Sequence, residues 1–364
     1  MILTRRALGR ALLERQSLLR RERIPVGQMI EQLVGLQAQL PNPPYLGLWT
    51  RLAGFDPQQL SELMLERAVV RVVLMRGTIH LVTARDALAL RPVVQPVLDR
   101  AVTANPTYRK HLSGLDRDEL VTCARAAVEA EPLTGTQLRD ALAAHFPDRD
   151  PAALGFAARC LIPMVQVPPR GLWGRSGQVV CTSAEAWLGR DLSPADPAAV
   201  IRRYLAAFGP ASVADMQAWS GLTRLREVVQ TLELRTFSTE EGGELFDLPD
   251  APLPDPATTA PIRFLPPWDN ALLSHADRTR IISDEHRTDR IGASLNGIVP
   301  GTILVDGIVR GSWKIERDKN AATLSIEPFE RFSKRRVASI EAEGSRLLRF
   351  AAAGADPQIR FVPA

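Results

Sequence analysis

Two glutamines stand two residues apart in Leu36-Gln37-Ala38-Gln39-Leu40-Pro41-Asn42-Pro43-Pro44. A primary amide does not titrate near neutral pH, so Gln37 and Gln39 are poor general bases. Each can still orient a water through its carbonyl oxygen and anchor it through its NH2 group. Each can also turn its carbonyl dipole toward a positive charge that develops during a reaction. That combination suits a hydrolysis whose leaving group departs without a proton donor. Two solvated amides in a loop would show the same spacing, and the spacing by itself does not choose between the two.

Other catalytic templates are missing. The chain has no phosphate-binding glycine loop and no helix-hairpin-helix motif with a downstream aspartate. Its five histidines, His80, His111, His145, His275 and His286, are scattered, and Cys123, Cys160 and Cys181 lack metal-site spacing. No metal and no cofactor is expected. Of the histidines, His275 merits most attention as a possible base, although a structural role comes first. Arg310, Lys314 and Arg317 flank an Asp306-Gly307 turn signal. On a strand, residues 310, 312 and 314 share a face, so Arg310 and Lys314 could both reach phosphates, or could equally be a solvated strand edge.

The elements that must position Gln37 and Gln39 are readable around them. A helix opened by Pro25, with Met29, Ile30, Leu33 and Val34 at helical spacing, stops near Gly35. The prolines at 41, 43 and 44 fix φ and bias the residues before them away from the helical region. The element should therefore be an extended connection between two helices, with Gln37 and Gln39 facing one side together. Helices are expected from Thr4, over Pro44–Leu52 and over Pro57–Glu66. A hairpin of Val69–Met75 and Ile79–Val82 follows, joined by Arg76-Gly77-Thr78. Arg76 at that tip reads as a solvated turn arginine or, less simply, as a phosphate contact.

Helices followed by a hairpin make a winged helix, and the pattern recurs. Asp116–Ala130, a Thr134 capping box and a helix from Pro151 precede strands near Met164–Val167 and Gln178–Thr182. Pro197–Phe208, a helix capped by Ser212 and Thr223–Leu232 precede a third hairpin of Arg235–Ser238 and Glu244–Leu248. The period of about 60 to 110 residues indicates duplicated domains and not a solenoid. Residues 249–261, rich in Pro, Ala, Thr and Asp, read as a linker. After it the signal turns to β, with a late helix over Ser333–Leu348 and closing strands at Leu347–Ala351 and Ile359–Val362.

A length of 364 residues suggests two to four domains. With 45 basic and 41 acidic residues the chain carries +4, so any nucleic-acid footprint must come from local clustering. Three widely spaced cysteines, odd in number, argue against a disulfide framework, and no long apolar run occurs. A soluble, monomeric, cytoplasmic protein without membrane contact is expected.

The Gln-Ala-Gln element, Phe208-Gly209-Pro210-Ala211 and Leu265-Pro266-Pro267-Trp268-Asp269-Asn270-Ala271-Leu272-Leu273-Ser274-His275-Ala276-Asp277-Arg278 occur in this order. Together they resemble the bacterial winged-helix DNA glycosylases that unhook interstrand crosslinks, the AlkZ/YcaQ type, over nearly the whole chain. The resemblance implies an α+β fold of three tandem winged helix-turn-helix units at 1–112, 113–190 and 191–256. A C-terminal β-barrel-like domain at 257–364, with a hairpin near 303–317, would complete it. It implies that Gln37 and Gln39 are catalytic. The glutamine at 39, where other members carry Asp, is closer to the azinomycin-resistance branch. Damaged double-stranded DNA becomes the expected substrate, with Asn42, Trp268, Asp269, Asn270, Arg310 and Lys314 as candidate DNA contacts. An N7-alkylguanine is already cationic and leaves unaided, which matches a site made of neutral amides. The rival is a non-catalytic multi-winged-helix regulator. Such a protein should present basic recognition helices, whereas the candidate third helices here are apolar or mixed.

Overall fold

The computed structural model describes residues 1–291 and 299–363. Strand β1 (Ile2–Leu3) and helix α1 (Arg5–Arg15) precede α2 (Val26–Gln32), β2 (Leu36–Gln37), α3 (Pro43–Arg51) and α4 (Pro57–Leu65). The hairpin β3 (Val69–Val73) and β4 (Ile79–Thr83) then leads into the long helix α5 (Ala84–Ala104). A second set follows: α6 (Arg117–Ala130), β5 (Leu133–Thr134), α7 (Gly135–His145), α8 (Pro151–Leu161), β6 (Met164–Gln166) and β7 (Val180–Ser183). The third comprises α9 (Ala184–Leu188), α10 (Pro197–Phe208), α11 (Val213–Ser220), α12 (Leu225–Val229), β8 (Arg235–Thr239) and β9 (Glu244–Asp247). Last come β10 (Arg263–Leu265), α13 (Asn270–Leu273), α14 (Asp284–His286), β11 (Gly301–Val305), β12 (Ile308–Asp318), β13 (Ala321–Pro328), α15 (Lys334–Ala351) and β14 (Asp356–Phe361). Among the described residues no helix is long and apolar enough to cross a membrane.

Local signals set many of these boundaries. Thr4, Asp116, Thr134, Asp150 and Ser212 each cap a helix by accepting a backbone N–H. Helix α5 escaped the sequence reading because Pro92 and Pro96 lie inside it. A proline at 92 cannot donate to the Leu88 carbonyl four residues back. Here the amide of Ser193 takes that place, 3.1 Å from the Leu88 oxygen, so a tertiary contact satisfies what the helix cannot.

The first two hairpins do not stand apart. They merge into one six-stranded sheet of order β2-β4-β3-β6-β7-β5, joined where Arg71 and Val72 pair with Gln166 and Val165. The third hairpin instead takes β1 as a parallel third strand. One apolar core draws Leu12, Val72, Leu88, Val165, Trp219, Leu265 and Leu304 together from across the chain.

The C-terminal sheet corrects the expected barrel. Its five strands run β10-β11-β12-β13-β14 and stay open at both edges. A helix, not closure of the sheet, buries the inner face: Ile340, Leu347, Leu348 and Ala351 of α15 pack with Phe264, Ile303, Leu324 and Ile326. Leu347–Ala351, expected as a strand, is the last turn of that helix. The 249–261 segment carries no helix or strand but is fastened to α1. Arg6 Nε donates to the Pro256 carbonyl at 2.6 Å, and Arg10 Nε to that of Thr258 at 2.6 Å. The Asp306-Gly307 turn has positive φ at both residues, 49° and 82°, as a two-residue hairpin of this kind requires. Its tip also docks on α1, where the Asp306 carboxylate receives Arg6 and Arg10.

Candidate active site

Two left-handed residues turn the chain from α2 into the glutamine element: Val34 (φ 52°) and Gly35 (φ 89°). A Cβ at Gly35 would lie 2.5 Å from Val82 Cγ1, so only glycine fits. Strand β2 then pairs with β4, Gln37 opposite His80. Ala38 is held at both ends. Its N–H donates to the Ile79 carbonyl at 2.7 Å, and its carbonyl accepts from Arg71 Nη2 at 2.6 Å. Arg71 is the one charged residue in the strand run Val69–Val73 and is 1% exposed.

Gln37 is buried, and its Oε1 accepts from Arg76 Nη2 at 2.7 Å. The same nitrogen reaches Asn270 Oδ1 at 3.2 Å, while Arg76 Nη1 donates to the Trp219 carbonyl at 2.7 Å. Asn270 Nδ2 in turn reaches the Gly35 carbonyl at 3.4 Å. Arg76 is therefore neither a solvated turn residue nor placed for a phosphate. Its left-handed backbone, φ 57°, folds the side chain back into the site. Burial, with Arg278 nearby, pushes its pKa down to about 10, so it stays cationic at neutral pH.

Gln39 differs. It is exposed, and its Oε1 accepts from the Ile79 amide at 3.3 Å. Both amides reach the β3–β4 hairpin, but they do not share one setting as the spacing predicts. The reason is that β2 ends at Gln37, so strand alternation is not carried through Gln39.

Gln37, Gln16, Arg51, Pro267, Trp268 and Asn270 line a small, partly open space of about 10 Å3. That is room for about one water. Through Pro43 and Pro267 it adjoins an open cleft of about 770 Å3, which Leu40, Asn42, Trp173, Trp313, Lys314 and Arg317 also line. A neighbouring hollow of about 370 Å3 shares Asn42, Trp173 and Arg317.

Among the expected DNA contacts, Asp269 and Asn270 are each 6% exposed and committed within the chain. Asp269 takes both terminal nitrogens of Arg51, at 2.8 and 2.7 Å, and caps α13 through the Ala271 amide. Both residues are thus engaged in holding the site together within the chain. Trp268 is half-buried, has φ 58° and lines the small space beside Gln37. Asn42 is exposed on the cleft. Lys314 lies on the cleft too, 3.0 Å from Glu316, whereas Arg310 bonds Glu330 at 3.1 Å.

His275 is structural. Its Nε2–H donates to the Phe208 carbonyl at 3.0 Å, and Nδ1 accepts from Ser274 Oγ at 2.9 Å. Burial and Arg280 push its pKa down to about 3, so it is neutral at pH 7. Arg280 also holds the Pro210 carbonyl at 2.7 Å, so the Phe208–Ala211 and Trp268–Arg278 stretches are locked together. His80, directly across from Gln37, donates from Nδ1 to the Thr78 carbonyl at 3.0 Å. Burial and Arg76 push its pKa down to about 3, and its Nε2 is buried without a partner among the described residues. Sequence reading missed the roles of Arg51, Arg71, Arg76 and His80. The one signal it offered was an arginine in mid-run of an apolar strand. Among the described residues no group of His, Cys, Asp and Glu could hold a metal.

A family model described as DNA glycosylase AlkZ-like matches residues 30–350. The chain is 24% identical over 360 residues to the "Interstrand DNA cross-link repair glycosylase" of Streptomyces sahachiroi, covering 93% of this chain and 94% of that protein. The solved structure of Streptomyces sahachiroi DNA glycosylase AlkZ superposes with a TM-score of 0.84 at 22% identity, covering 100% of both chains.

Proposed function

The chain belongs to the AlkZ-like DNA glycosylase family, and from that premise we propose that it hydrolyses the N-glycosidic bond of cationic N7-alkylguanines in double-stranded DNA, with Gln37 and Gln39 as the catalytic pair. Guanines held in azinomycin-type interstrand crosslinks are included. The name of the Streptomyces sahachiroi relative, a crosslink repair glycosylase, supports that choice. The enzyme is a DNA glycosylase, a hydrolase acting on N-glycosyl bonds.

The observation that carries this reading is the Gln37 amide, its oxygen held by Arg76, in a space sized for one water beside an open cleft. An amide oxygen has a second lone pair, so Oε1 can accept from Arg76 and still accept from a water. The cationic base leaves without a proton donor, and the transition state is oxocarbenium-like. What the site must supply is a water held under C1′ and a dipole toward the forming charge. Orientation of that kind lowers a barrier by roughly 7–11 kcal/mol. Gln39, exposed one residue before the cleft-lining Leu40, meets the DNA side of the reaction in this reading. The space at Gln37 is too small to take a flipped base, and the neighbouring cleft is open, as a crosslinked nucleotide that cannot be flipped requires.

In this reading residues 1–112, 113–190 and 191–256 are three winged-helix units and 257–364 a C-terminal domain. Helices followed by a β-hairpin, three times in succession, support that division. Asn42 and Lys314 on the cleft, and Arg310 further along β12, contact the DNA backbone.

Duplexes carrying N7-methylguanine, an azinomycin-type crosslink, uracil or hypoxanthine test the proposal. Release of the two cationic lesions and of neither neutral base is expected, because Gln37 and Gln39 cannot protonate or stabilise a neutral leaving group. Efficient uracil release would show that another residue acts as the acid or base.

A further inference from the structure

The stretch Glu330-Arg331-Phe332-Ser333-Lys334-Arg335-Arg336 places four cations in the six positions 331–336. Three of them form the first turn of α15, an 18-residue helix with no acidic residue in that turn. The N-terminal end of a helix is the positive end of its dipole, so stability alone favours Asp or Glu there. Lys334, Arg335 and Arg336 sit against that preference, and all three are exposed.

Arg335 and Arg336 border a groove of about 850 Å3 between residues 259–262 and α15, which Arg346 also lines. Arg263 also lines it. That residue is only 7% exposed, and its Nε donates to the Leu18 carbonyl at 3.0 Å. Its Nη1 and Nη2 make no hydrogen bond among the described residues, and neither is fully buried. Burial pushes its pKa down to about 10, and it remains a cation. The two carboxylates in the groove are already engaged. Asp306 receives Arg6 and Arg10, and Glu343 lies 2.6 Å from Arg21 and 3.5 Å from Arg346. Arg336 shares Glu330 at 3.8 Å with Arg310. Cations on this surface therefore outnumber the carboxylates left to neutralise them.

We propose that this groove binds the phosphodiester backbone of DNA, as an anchor separate from the glutamine site. None of its lining residues lines the space at Gln37. The inference rests on the DNA-glycosylase reading above. Guanidinium groups match phosphate oxygens two at a time, and a helix N-terminus adds its dipole to them. A largely buried guanidinium with unbonded N–H groups in the groove lining is what a repeating anion satisfies and a solvated surface does not need. Such contacts hold the duplex flanking the lesion and carry no sequence preference.

The test compares wild type with Arg335→Gln/Arg336→Gln on an undamaged duplex of about 25 base pairs, by fluorescence anisotropy over a range of salt. Loss of two phosphate contacts should lower the slope of log K against log salt by about 2, with affinity at ~0.1 M salt falling tenfold or more. Single-turnover excision of N7-methylguanine at saturating enzyme should not change. Arg263→Gln should lower the slope further, and Arg263→Lys, which keeps the charge, should restore most of it. An unchanged slope and affinity in Arg335→Gln/Arg336→Gln overturns the proposal. So does a variant that loses binding to single-stranded RNA while holding duplex DNA as before. A wild type that releases no base, yet shows the slope change, would refute the catalytic reading and leave the groove standing.

Discussion

Arg76 Nη2 stands 2.7 Å from Gln37 Oε1 and fixes which end of that amide faces the guanidinium. Without such a donor the amide could turn over and exchange its oxygen for its NH2 group. Arg76 makes no ion pair with a carboxylate among the described residues; its charge is spread over three neutral oxygens, on Gln37, Asn270 and Trp219.

Replacing either glutamine by alanine should abolish most base release while leaving DNA binding intact. Loss of one positioned polar group of this kind costs about 10²–10³ in rate. Gln37→Ala should also destabilise the fold by about 1–3 kcal/mol, because Arg76 loses a buried acceptor. Gln39→Ala, at an exposed position, should not. Single-turnover excision of N7-methylguanine and urea denaturation check both parts. Full activity in the double variant would remove the catalytic assignment.

Arg76→Lys keeps the charge but loses the planar fork that spans Gln37, Asn270 and the Trp219 carbonyl. The expected result is a fall in kcat of roughly tenfold with KM nearly unchanged, the mark of a misplaced group acting in the transition state. Wild-type kinetics in this variant would mean that Gln37 needs no anchor.

Asp269→Asn should be among the most destabilising single changes near the site. It leaves the Arg51 guanidinium, 1% exposed, without its carboxylate. Breaking a buried pair in this way costs about 3–5 kcal/mol. Asp277→Asn, at an exposed position in the same stretch, serves as the control and should change little. Equal denaturation midpoints for the two variants would refute the role given to Asp269.

The two buried histidines contribute to the response to acid. His80 and His275 have pKa values of about 3, against 6.5 when unfolded. Between those limits the unfolded chain binds the extra protons, so each contributes stability that is full above pH 6.5 and lost as pH falls toward 3. The slope for each is at most about 1.4 kcal/mol per pH unit. His275→Asn should flatten the pH dependence of stability below pH 6.5 relative to wild type. Base release should stay nearly flat around neutral pH, since neither glutamine titrates. A bell-shaped rate profile centred near 6.5 would point to a histidine as the base.

The sequence by itself determined the local features: the helix caps at Thr4, Asp116 and Thr134, the Asp306-Gly307 turn, and the extended, proline-bounded glutamine element. Each depends on backbone preferences within a few residues. It also marked three stretches worth watching, though not what joins them. Only the tertiary structure decided that Arg76 turns inward to Gln37 and Asn270, that Asp269 is spent on Arg51, and that His275 locks onto Phe208. These partners lie 39 to 218 residues apart in the chain. A side chain's charge says what it can bond. Which partner it meets, and whether water competes, depends on burial by elements distant in sequence. The same limit explains the C-terminal domain. Its strand signals were local, but whether the sheet closes on itself or takes α15 as its cover depends on which apolar face packs against which.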